Sequence, residues 1–166
     1  MKTKAVTAEK IYGNIKKYNL ITENMPSTVL GVWVINHKFE STKLEEDLRI
    51  EGEYEVNVWY SYGDNTKTDV VTKVIAYKEV VPNIFNDTSD YYLKSLGIPN
   101  CQKTYIEHEK LIVEVSKQFE IEIVNEIDLK IDGENKIIEE VEKPKKIEPL
   151  EIHHNIKQVK EIGDRE

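Results

Sequence analysis

Between residues 50 and 60 the chain alternates apolar and polar side chains almost without a break, in the run Ile50-Glu-Gly-Glu-Tyr-Glu-Val-Asn-Val-Trp-Tyr60. A period of two belongs to an extended strand, whose successive side chains point to opposite faces; a helix would scatter both sets around its circumference. Ile50, Tyr54, Val56, Val58 and Tyr60 therefore share one face, suited to burial, and Glu51, Glu53, Glu55 and Asn57 share the other. Trp59 falls on the polar face. The turn formers of Ser61-Tyr-Gly-Asp-Asn-Thr-Lys-Thr68 follow, and then Val70 to Val81, dense in β-branched residues, so the two runs predict a long antiparallel hairpin.

The alternation returns where Leu111, Val113, Val115, Phe119, Ile121 and Ile123 line one face and Glu114, Ser116, Gln118, Glu120 and Glu122 the other. Ile127, Leu129 and Ile131 extend it to a turn signal at Asp132-Gly133. Val29-Leu-Gly-Val-Trp-Val-Ile35 is apolar on both faces, the pattern of a central strand covered by two layers. Residues 3 to 20 read as one or two further strands. Helix is expected in two short places only: after the capping box Thr42-Lys-Leu-Glu45, and from Ser89 to Leu96, closed by Gly97 and Pro99.

Alternating strands joined by turns predict an all-β fold, an antiparallel β-sandwich or barrel-like domain over residues 1–133. Beyond Gly133 the composition shifts to Lys, Glu and Ile with Pro144 and Pro149, which predicts a charged C-terminal tail or arm over residues 134–166. That segment carries nine acidic and seven basic side chains, a mixed rather than an acidic balance.

The whole chain of 166 residues is long enough to bury a core without staples. Its net charge of -8 argues against a general nucleic-acid binder, which needs a basic face to neutralise phosphate. The first ten residues hold no apolar core of signal-peptide length and no apolar run approaches the ~18 residues of a membrane span, so no transmembrane segment is expected and a cytoplasmic start is. The single cysteine, Cys101, forms no internal disulfide and supplies no metal-ligand spacing.

Leu30-Gly-Val-Trp-Val-Ile-Asn-His-Lys38, Asn57-Val-Trp-Tyr-Ser-Tyr62 and Asp64-Asn-Thr-Lys-Thr68 together resemble the CotE family of outer-coat morphogenetic proteins of bacterial endospores. The likeness continues more weakly through Pro99-Asn-Cys101 and the strand from Leu111 to Ile123, and covers residues 1 to about 130. It implies a structural coat protein that is not an enzyme and needs no cofactor. It also implies self-association into a homo-oligomer in the mother-cell cytoplasm, placement in the spore coat, and recruitment of other coat proteins. The morphogenetic ATPase of the coat's basement layer is the implied first partner. The mixed tail departs from the strongly acidic tail of that pattern.

Among individual residues, the hairpin tip stands out. Trp59, Tyr60, Tyr62, Asp64, Asn65 and Lys67 form the expected protein-interaction site, because aromatics supply contact area at low ordering cost and Trp59 sits on the solvent side of its strand. A monomeric β-sandwich binding a small ligand or carbohydrate through the same aromatics is the alternative. His37 has no metal partners in sequence and reads as structural. Cys101 with His108 lacks a third partner for nucleophilic chemistry, although Cys101 remains a candidate for intermolecular cross-linking. His153-His154 lies in the tail. Asp128-Leu-Lys-Ile-Asp-Gly133 imitates part of a calcium loop, but Lys130 occupies a ligand position.

Overall fold

A computed structural model describes residues 1–129; the Asp132-Gly133 turn, His153-His154 and the tail from 134 lie outside the described residues. Seven strands follow one another, β1 (Lys2–Leu20), β2 (Pro26–Leu44), β3 (Asp47–Tyr62), β4 (Lys67–Val81), β5 (Asp90–Ser95), β6 (Asn100–Glu107) and β7 (Lys110–Asp128). No helix occurs among the described residues.

The strands form two antiparallel sheets. In one, β2, β3 and β4 lie in sequence order; in the other, β7 is central, with β1 along one side and β6 and β5 end to end along the other. The sheets share no ladder, so the fold is a sandwich and not a closed barrel. The inward rows alternate as the sequence pattern requires. Leu48, Ile50, Tyr54, Val56, Val58 and Tyr60 of β3 meet Leu111, Val113, Val115, Phe119, Ile121 and Ile123 of β7 in one continuous core. The connection after β4 crosses between the layers and closes one end: Ile84 and Phe85 are buried and donate their amides to the Glu46 carbonyl, and Phe85 packs on Tyr91.

The expected hairpin is β3–β4, in unbroken register from Leu48 opposite Val81 to Tyr62 opposite Lys67. Residues 3 to 20 form a single strand, not two. Three local expectations are corrected. Thr42-Lys-Leu-Glu45 starts no helical turn: Glu45 has φ 57° in a tight connection that reverses β2 into β3. Ser89 to Leu96 contains strand β5 instead of a helix, because Tyr91 and Leu93 are drawn inward against Ile123 and Ile121. The doubly apolar run Val29 to Ile35 is an edge of its sheet, not its centre. Its second apolar row is covered by Trp33 packing on Trp59 rather than by another layer.

Candidate interaction surface

The outer face of the β2–β3–β4 sheet is divided along its length. Near the β2–β3 turn it is charged, with Glu51 reached by Arg49 and Lys78. Toward the hairpin tip it becomes apolar. Trp59 of β3 stands between Gly31 of β2 and Val70 of β4. Its indole meets that of Trp33 edge to face at 6.5 Å, and 41% of Trp59 remains exposed. Val70, directly opposite Trp59, is exposed, and Val74 lies further along the same row of β4. Gly31 keeps this arrangement close, since a Cβ there would approach the Trp33 ring to 3.2 Å.

The tip that borders this face is a rigid reversal. Gly63, Asp64 and Asn65 all adopt positive φ, and the Thr66 amide donates to the carbonyls of Tyr62 and Gly63. The Asn65 side-chain oxygen accepts from both Ser61 and Thr28, which ties the tip to β2. Of the six residues singled out from sequence, Trp59, Asp64, Asn65 and Lys67 are exposed and Tyr62 is half-buried. Tyr60 is core, its hydroxyl donating to Asp69 at 3.4 Å, and it supports the surface from beneath.

The titratable groups inside the sandwich pair with neighbouring polar side chains. His37 is fully buried: a bulge between Ile35 and Lys38, with Asn36 at φ 56°, turns it inward to pair Nε2 with the Tyr77 hydroxyl at 2.6 Å. Burial, with the Lys117 charge nearby, drops its pKa to about 3, so it is neutral at physiological pH. Tyr77 leans over Gly52, where a Cβ would come within 2.5 Å of the tyrosine oxygen.

Sequence reasoning missed the pair beside them. Lys117 and Glu79, both buried, meet at 2.6 Å between the sheets, and Glu79 also accepts from Tyr12 and Asn14 of β1. Burial pushes the Glu79 carboxyl up, but the hydrogen bonds from Lys117 and Asn14, the lysine charge and the Tyr12 hydroxyl together hold it below its ordinary value. The signal was present: Lys117 falls on the apolar row of β7 and Glu79 on that of β4.

Cys101 is half-buried, with Sγ 2.8 Å from the Thr104 hydroxyl, and lines a groove of about 370 Å³ between β2 and β6. His108, in the turn after β6, adopts φ 50° and is exposed. Glu9, Glu120 and Glu122 bring carboxylate oxygens within 4.8 Å of one another on the outer side of the β1–β7 pair. Such a group of carboxylates is a common feature of an acidic strand face.

The chain is a two-layer antiparallel sandwich with tryptophan and β-branched residues on one outer face and paired polar side chains between its layers. The chain belongs to the outer spore coat protein E (CotE) family, whose family model matches residues 1–160. Membership gives it a spore-coat role and location. No curated protein and no solved structure matches the chain.

Proposed function

We propose that this chain is a structural morphogenetic protein that assembles with copies of itself and recruits other coat proteins to the forespore surface. Assembly would begin in the mother-cell cytoplasm, with the basement-layer ATPase as first partner. The observation that carries the reading is Trp59, a large aromatic left 41% exposed against Trp33 and opposite the exposed Val70 on the outer face of its sheet. Exposed aromatic clusters of this kind are where binding energy concentrates at interfaces, and an interface of about 800 Å² per partner suffices for a stable contact.

Light scattering on the purified full chain, with negative-stain microscopy of the same fractions, tests this. Discrete multimers or growing sheets are expected, and Trp59→Ala is expected to reduce their mass with an unchanged circular dichroism spectrum. A strict monomer at micromolar concentration would sink self-assembly and favour a ligand-binding module using the same tryptophans. Unfolding of the Trp59→Ala variant would make the residue a packing element instead.

A further inference from the structure

Among the described residues four strand edges are open, those of β1 and of the β5/β6 pair in one sheet and those of β2 and β4 in the other. An open edge offers unpaired N–H and C=O groups to any strand of another chain, and proteins normally spoil it with bulges, breaks or inward-pointing charges. Three of these edges are spoiled. β1 has a bulge between Val6 and Ala8 and carries exposed Lys10 and Lys16 at inward positions opposite Ile121 and Val115. β2 breaks register at Pro26/Thr28, Val29/Gly31 and Ile35/Lys38. The third edge is divided between two short strands, with a shift at Cys101/Lys103.

β4 differs. It pairs with β3 from Lys67 to Val81 without any shift. Its outward row is Thr68, Val70, Thr72, Val74, Ala76, Lys78 and Val80, with Val70 37% and Val74 56% exposed. Its inward row carries two exposed lysines, Lys67 at the hairpin end and Lys73, with Asp69 between them, so what sets β4 apart from the other edges is its unshifted register. Tyr12 and Asn14 of β1 reach across at Glu79, so the stretch before it is the open one.

We infer that β4 pairs antiparallel with β4 of a second copy about a two-fold axis at Val71, joining the two β2–β3–β4 sheets into one. This rests on the self-assembly reading and supplies a contact for it. The charge pattern selects the partner and the register. With the axis at Val71, Asp69 lies opposite Lys73 of the second copy, and by symmetry the same pair forms twice; Val70 lies opposite Thr72 and Thr68 opposite Val74. Opposite charges and β-branched residues facing each other directly are the favourable cross-strand pairs. Moving the axis to Lys73 would set that lysine against its own copy. Val70 also adjoins Trp59 in register, so pairing brings the two aromatic patches together on one outer face.

Charge complementation on the exposed outward row tests the inference in the full chain. Val70→Lys/Thr72→Lys is expected to weaken association at least tenfold, Val70→Glu/Thr72→Glu likewise, and an equimolar mixture is expected to regain it. Circular dichroism should be unchanged in both variants. If the wild type assembles and either variant assembles as well as it does, the β4 contact is wrong and the self-assembly reading stands. Failure of the mixture to regain mass would also overturn the pairing, because the row would then meet some other surface, including residues 130–166 of the same chain. A wild type that stays monomeric removes the broader reading and this contact with it.

Discussion

His37 shows how one residue's environment sets a property of the whole fold. In the unfolded chain its imidazole titrates near the ordinary 6.5; in the folded chain the value is about 3. Between those limits the unfolded state binds a proton that the folded state refuses, so stability falls as pH drops from about 6.5 toward 3. Glu79, held below its ordinary 4.5, adds to the loss at the acid end of that range, since its contribution is present above the unfolded value and vanishes as the folded group protonates. Urea unfolding between pH 6 and 4.5 should therefore show a slope of up to about 1.4 kcal/mol per pH unit from His37. His37→Gln, which keeps a partner for Tyr77 but does not titrate, should flatten it; equal slopes in the two proteins would contradict the assignment. The residue was visible as a lone structural histidine, but its inward turn depends on a bulge at Asn36 that no apolar pattern announces.

Among elements, the buried ion pair between the sheets is Lys117–Glu79, which joins β7 to β4 and, through Tyr12 and Asn14, to β1. Lys117→Met leaves a buried carboxylate without its cation and is expected to cost about 3–5 kcal/mol in denaturant unfolding. Changing both partners, Lys117→Met with Glu79→Leu, is expected to recover most of that loss, because an apolar pair of similar size needs no desolvation. If the double variant is as unstable as the single one, the pair does more than satisfy itself. The strands themselves were legible wherever polar and apolar residues alternated, as in β3 and β7. The turns were less so. His108 and Glu109 both adopt positive φ between β6 and β7, a conformation usually signalled by Asn-Gly or Asp-Gly, so the β6–β7 hairpin gave no local cue. Thr42-Lys-Leu-Glu45 offered a helix cap, and the register of β2 on β3 overrode it.

At the scale of the molecule, β3 and β7 are the strands paired on both sides and packed face to face, whereas β1, the second strand of the chain's largest pairing, closes on a partner more than 90 residues away in sequence. Amide exchange measured at concentrations too low for assembly is expected to be slowest in β3 and β7 and faster along β4. Protection of β4 that appears only as multimers form would match its proposed pairing. Uniform protection of all seven strands at every concentration would contradict this hierarchy. The sequence by itself determined the all-β class, the hairpin of β3 and β4, the inward rows and the outward position of Trp59, because a period of two is a local property written in adjacent residues. Only the tertiary structure decided that the doubly apolar β2 is an edge, that Ser89 to Leu96 holds a strand, that Lys117 and Glu79 meet, and that β4 alone of the long edge strands pairs without a register shift. Each of these depends on which distant strand lies alongside, and pairings across long loops leave no periodic trace in the residues between them.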